Sequence, residues 1–267
     1  LLEKGKLAVL LLQNGKLQVW RSNEDGTLHS ALISTWNVLL ENKPVLFVNV
    51  PTKVHNHDRH FVALLYRDGS CKCFKIEHDK LHEIECEPLT TENIFNLSAI
   101  DPVSYTYNGD RSIVSLALTS GVIRCFKGVF ETGEVKLSWV MTSEVMTGRK
   151  NISKFKGSSI DRMCCVDENQ REVTIWDLRR GVLEYTEVFE DKVLDIDWTS
   201  SYANMSIFSL GFSNFALSYT QVRYDYTHDH PSYAPIRKTD ITKYTSHAMG
   251  DSLWLSHGLF VIAAGNQ

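Results

Sequence analysis

Positive charge is in short supply in this chain: Lys and Arg number 28 against 32 Asp and Glu, for a net charge of -4 at neutral pH. No Lys/Arg-rich run relieves that balance, so the basic surface that displaces counterions from nucleic-acid phosphates is missing. Long apolar runs are missing too. None approaches the ~18 residues that argue for a membrane-crossing helix, and no signal peptide opens the chain. The six cysteines contain no C-x-x-C pair, the usual spacing of a zinc site. Cys71 and Cys73 share one face of a strand, Cys164 and Cys165 are neighbours and poor disulfide partners, and Cys86 and Cys125 stand apart. All six are expected to be reduced thiols of a cytosolic protein. A G-x-S-x-G nucleophile elbow and a Gly-rich loop with Lys are absent, which leaves no nucleophile or phosphate cradle to propose. No enzyme activity, metal or cofactor is expected.

What the chain does have is a repeated hairpin. Hydrophobic residues at 43% and charged residues at 22% allow a sizeable buried core. In the first copy, LAVLLLQNGKLQVW, an apolar run meets Asn14-Gly15 and a second run ends at Trp20. Asn-Gly between apolar runs is a strong hairpin signal because both positions tolerate positive φ. Further copies turn at Asp68-Gly69, Ser120-Gly121, Asn169 to Arg171 and Ser213-Asn214, and a sixth reaches Gly265-Asn266. The turns are 54, 52, 50, 43 and 51 residues apart, and an aromatic follows each complete one at a five-residue offset: Trp20, Phe74, Phe126, Trp176 and Tyr219. Short β-like runs at 44–50, 135–141, 181–189 and 193–198 supply further strands.

A period near 50 residues with four strands per unit is the signature of a β-propeller. A β-sandwich needs about seven to nine strands, whereas this pattern demands roughly twenty. The predicted fold class is therefore all-β, a WD-repeat-type propeller of about five to six blades belonging to a seven-bladed ring, with residues 1–267 as a single domain cut from a longer chain. Trp176-Asp177, at the expected strand end, matches the dipeptide for which WD repeats are named. Its expected role is structural, with the Trp packed between blades and the Asp bonded to the following turn.

Polar clusters supply the remaining candidates. H-x-H within His55–His60 has metal-ligand spacing but reads as a solvated loop before a strand at Phe61. Asp195 and Asp197 share a strand face and read as turn and cap acceptors rather than as an acid/base pair. The stretch 224–249 is rich in Tyr, His, Asp and Pro and reads as an extended insertion between strands. Tyr224, Tyr226, His228, His230 and Tyr233 are its candidate partner-binding residues, because exposed aromatic and polar side chains make good docking contacts. The other reading has its tyrosines packed back on the blade.

Three phrases carry a family resemblance: DIDWTSS at 195–201, RYDYTHDHPSYAPI at 223–236 and GDSLWLSHGLFVIAAGNQ at 250–267. Together they resemble the large scaffold subunit of the RAVE complex, the regulator of the vacuolar and endosomal proton ATPase, and the rabconnectin-3 (DmX-like) proteins, with the fungal subunit as the nearer match. The chain departs from the pattern at Tyr233, where the family carries Trp. The resemblance covers about 70 residues; the first ~190 show only the general blade pattern. It implies a long protein with two N-terminal propellers and a helical region, this chain being most of the second propeller. It further implies a non-catalytic scaffold in the cytoplasm, recruited peripherally to vacuolar and endosomal membranes. There it would help return the V-ATPase peripheral-sector subunits and the ATPase's C subunit to the membrane sector, alongside a smaller RAVE subunit and a Skp-type adaptor. Two readings compete: a general WD-repeat interaction platform of a ubiquitin ligase or coat complex, and a propeller enzyme with His, Asp or Glu from several blades facing a central channel.

Overall fold

The computed structural model describes residues 7–22, 30–38, 46–50, 59–77, 80–99, 114–131, 136–158, 161–199, 207–222, 232–244, 249–255 and 259–264. All regular structure among them is β-strand. Blade 1 contains β1 (Leu7–Leu11), β2 (Lys16–Ser22) and β3 (Ser30–Asn37). Blade 2 runs through β4 (Leu46–Asn49), β5 (Arg59–Leu65), β6 (Cys71–Glu77) and β7 (Lys80–Cys86). Blade 3 is β8 (Ile94–Ala99), β9 (Val114–Leu118), β10 (Val122–Phe130) and β11 (Lys136–Met146). In blade 4 the order is β12 (Lys154–Gly157), β13 (Arg162–Val166), β14 (Glu172–Asp177) and β15 (Val182–Val188). Blade 5 follows with β16 (Asp195–Trp198), β17 (Ile207–Gly211), β18 (Phe215–Val222) and β19 (Ser232–Asp240), and β20 (Met249–Leu255) and β21 (Leu259–Ala264) form a sixth unit.

Strands within each blade are antiparallel neighbours in chain order, and blades 2 and 3 join through one parallel contact of their outer strands, Lys136 opposite Glu85 and Leu137 opposite Cys86. The five complete hairpins expected from the repeat are β1–β2, β5–β6, β9–β10, β13–β14 and β17–β18. Their first strands are mostly apolar because blades 2 to 5 are each covered on both faces; on blade 1 Leu10 and Leu32 stay exposed. On β5, Phe61, Ala63 and Leu65 enter the layer shared with blade 3, while Val62 and Leu64 enter the layer shared with blade 1. The same alternation sends Cys164 toward blade 5 and Cys165 toward blade 3. Successive blades thus enclose separate apolar layers, and no common central core exists among the described residues.

A second repeat is invisible in composition. After the outer strand of each blade the chain returns beneath its own hairpin turn and donates a backbone N–H to the turn carbonyl: Val38 to Gly15, Leu89 to Gly69, Thr147 to Gly121, Val193 to Gln170 and Ile241 to Asn214, at 2.7 to 3.2 Å. All five donors are buried. Gly69 and Gly121 have φ of 85° and 87°, and a Cβ on either would lie 2.0 or 2.1 Å from the backbone oxygen of Thr90 or Arg149. Glycine is therefore required there both by conformation and by space.

Two readings of loops are corrected. Nine residues of the supposed insertion at 224–249 form β19, whose Val222–Ser232 to Phe215–Asp240 register pairs it along β18. Its mixed polarity reflects an outer strand half open to solvent. The strand expected at Phe61 begins at Arg59, so His60 belongs to it; His55 and His57 lie outside the described residues.

Candidate functional site on the inner strands

The first strands of successive blades, β8, β12, β16 and β20, lie side by side and form a polar wall. A cleft of about 330 Å³ opens along it, lined by Asn96, Lys154, Lys156, Asp195 and Ser252 among others. Each strand is only four to seven residues long, so period-two alternation gives it two to four side chains on either face. On β16 those facing the wall are Asp195 and Asp197, while Ile196 and Trp198 enter the apolar layer with blade 4.

The two carboxylates grip the neighbouring strands. Asp195 Oδ2 accepts hydrogen bonds from the Ser252 backbone N–H (2.6 Å) and hydroxyl (2.7 Å), and Asp197 Oδ2 accepts from the Trp254 N–H at 2.6 Å. From the other side Lys154 reaches within 4.0 Å of Asp195 and Lys156 within 3.6 Å of Asp197. The Trp198 indole N–H donates to the Lys156 carbonyl at 2.9 Å, and the Asn96 amide donates to the Ser153 carbonyl at 2.7 Å. Burial pushes the Asp197 carboxyl above its ordinary range, against the pull of Lys156 and the Trp254 amide. The expectation that these aspartates cap their own turn is thus corrected: they bond across blades, because a short inner strand leaves the next strand's amides unpaired. Their positions explain two of the phrases singled out in the sequence, since D-I-D-W and G-D-S-L-W-L are clasped together.

The third phrase has a different place. Tyr233, a candidate docking residue whose other reading is packing back on the blade, follows the second: it is 5% exposed and packs against Tyr185 and Phe208 at ring distances of 5.5 and 5.7 Å. Its hydroxyl donates to Glu184 at 3.3 Å. Glu184 is itself buried between blades and accepts two 2.9 Å bonds from Arg162, which also lies 3.4 Å from Asp177. Burial raises the Tyr233 hydroxyl well above the usual phenol range, as does the Glu184 charge. Tyr224, Tyr226, His228 and His230 lie outside the described residues.

Trp176 and Asp177 take the roles expected of them. The Trp176 ring enters the layer between blades 3 and 4, and Asp177 Oδ1 accepts the N–H groups of Arg179 (2.8 Å) and Arg180 (3.1 Å) in the turn. Sequence reasoning missed Lys154, Lys156, Arg162 and Glu184. One signal was present: K-F-K and D-I-D are period-two pairs of opposite sign on consecutive inner strands.

Radially ordered four-stranded blades with this hairpin repeat define a WD-type β-propeller. Solved structures agree on the fold: Sqt1 from Chaetomium thermophilum superposes with a TM-score of 0.63 at 12% identity over 98% of this chain and 78% of that one. The C-terminal WD40 domain of Sif2 gives 0.55 at 12% identity over 99% and 77%. The family model described as RAVE protein 1 C terminal matches residues 121–267, and the chain belongs to that family. Among curated proteins, it is 40% identical over 99% of its length to the Saccharomyces cerevisiae protein named "Regulator of V-ATPase in vacuolar membrane protein 1". It is 27% identical over 98% of its length to the Schizosaccharomyces pombe protein of that name. The chain spans only 20% and 21% of those proteins.

Proposed function

We propose that this chain is a non-catalytic docking module in a regulator of the vacuolar proton ATPase. It forms one propeller domain of a longer protein that helps bring the enzyme's peripheral catalytic sector and its C subunit back to the membrane sector. The observation that carries the reading is the 40% identity, end to end, with a yeast protein named for V-ATPase regulation. The inner wall supports it from the physical side. Asp195 and Asp197, the carboxylates that an acid/base mechanism would use, are held by backbone amides of the next blade and serve to join blades. A rigid stack of blades presents its edges and loops as a broad mixed surface of the kind used in interfaces of order 1,000 Å².

On this reading the partners are V-ATPase peripheral-sector subunits together with the C subunit of that enzyme, a smaller RAVE subunit and a Skp-type adaptor, and the protein attaches peripherally to the vacuolar membrane. No helix among the described residues is long and apolar enough to cross a membrane. Tyr224, Tyr226, His228 and His230 remain the proposed contact residues, in the connection between β18 and β19; Tyr233 is occupied by the core. The test is affinity capture from cytosol with the full-length protein, wild type against a variant with all four replaced by Ala. The reading expects ATPase peripheral-sector subunits with the wild type and at least a tenfold loss in the variant. Capture of a different stable partner in place of these subunits would overturn the docking role, and undiminished capture by the variant would remove the connection from the contact surface.

A further inference from the structure

Outside the inner wall, the chemistry-bearing group that stands out is a pair of sulfurs on the third and fourth strands of blade 2. On β6 and β7, Cys73 lies opposite Ile84, and continuing that antiparallel register by two residues sets Cys71 opposite Cys86. Their Sγ atoms are 2.8 Å apart. Both side chains are partly exposed, whereas Cys73, Cys125, Cys164 and Cys165 are buried. Facing residues of antiparallel strands hold their Cα atoms about 4.5–5.5 Å apart, within the range of about 4.4–6.8 Å that a disulfide spans. Closing the bond therefore asks only for side-chain rotation. All six thiols are free in this structure.

We propose that Cys71 and Cys86 are a modification site, closed into a reversible disulfide by a hydroperoxide. One sulfur attacks the terminal peroxide oxygen as the thiolate; the O–O bond breaks, and the leaving oxygen departs with a proton as alcohol or water. The resulting sulfenic sulfur is attacked by the second sulfur, the S–O bond breaks, and water leaves with the second thiol's proton. Two thiols are oxidised by two electrons and one peroxide is reduced, and a dithiol reverses the step by exchange. The bond has a structural target. Cys86 is the residue at which β7 meets β11 of blade 3, where Glu87 N–H also donates to the Leu137 carbonyl at 3.0 Å. Cys71 follows the Gly69 turn that receives Leu89. Oxidation would therefore pin the strand that couples blades 2 and 3. The mutual hydrogen bond, followed by burial, pushes the Cys71 thiol upward, so attack through its thiolate quickens as pH rises. This inference stands independently of the docking role.

The test treats the native full-length protein with hydrogen peroxide, blocks free thiols by alkylation, and maps peptides without reduction. The expected result is a Cys71–Cys86 linked peptide that disappears with dithiothreitol, survives in Cys73→Ser and is absent from Cys86→Ser. Hydrogen exchange of the β7 amides should slow at least tenfold in the oxidised protein. Free alkylated Cys71 and Cys86 after peroxide, linkage to other cysteines, or sulfinic acids without a linked peptide would overturn the proposal. The wild-type map decides the matter even where Cys86→Ser does not fold.

Discussion

Single residues hold this fold at places where one atom too many, or one charge displaced, is felt directly. Gly69→Ala must both hold φ near +85° and clear a carbonyl oxygen 2.0 Å from the new Cβ, so it should lower unfolding stability by roughly 3 kcal/mol. Gly148, at φ +67° with nothing within 4 Å, is the control: its alanine variant carries only the conformational cost of about 1 kcal/mol. Urea midpoints for the two variants check the contrast, and equal shifts would mean that the close approach to Thr90 has no weight. Asp197 gives a pH prediction. Its folded carboxyl binds a proton more tightly than the ordinary value of 3.8. Between 3.8 and the raised value the folded state therefore holds more protons than the unfolded one, and this group's contribution to stability falls as pH rises and recovers as pH falls. Asp197→Asn keeps an acceptor for the Trp254 N–H and should remove that component from the acid-range melting profile; superimposable slopes for the two proteins would refute it. Asp197→Ala leaves the Trp254 amide without its acceptor and should cost about 1–3 kcal/mol at neutral pH.

At the scale of elements, the strands are held by what lies between blades as much as by their ladders. Trp176, the aromatic of the one Trp-Asp dipeptide, fills the layer between blades 3 and 4 with its indole N–H satisfied by Thr174 at 3.0 Å. Trp176→Ala should cost about 3–5 kcal/mol by cavity formation, read as a denaturation midpoint. The Arg162–Glu184–Tyr233 network ties β13, β15 and β19 together. Glu184→Ala removes two charge-assisted bonds from a largely buried guanidinium, a loss of roughly 3 kcal/mol, whereas Tyr233→Phe gives up one long hydrogen bond and about 1 kcal/mol. A larger loss for Tyr233→Phe than for Glu184→Ala would mean that the hydroxyl, and not the ion pair, organises this joint.

For the whole molecule, the arrangement is a stack in which each apolar layer is shared by two neighbouring blades, so stability passes from neighbour to neighbour. Phe208 sits in the layer of blades 4 and 5, against Trp198, Tyr219 and Tyr233. Phe208→Ala should therefore speed amide exchange in those two blades before blades 1 and 2, and uniform acceleration would show a single cooperative unit instead. The hairpins, their turns and the propeller class were legible in the sequence by itself, because the paired central strands are predominantly apolar and four of the five turns carry Gly or Asn at the anchor position, Gln170 being the exception. The sequence also marked the Trp-Asp position, whose packing and turn bonds are local consequences of the repeat. It did not reveal β7, β12 or β19. K-L-H-E-I-E-C and S-Y-A-P-I-R-K-T-D are half-solvated outer strands of mixed polarity, and K-F-K-G, at four residues, carries its one period-two pair on too short a run to stand out as a strand. Tertiary structure alone decided that Asp195 and Asp197 clasp Ser252 and Trp254, and that Tyr233 turns inward to Glu184. The partners of these side chains lie 49 to 57 residues away in the chain. A polar residue's role depends on the burial and charge that distant segments bring to it, and no local pattern encodes that.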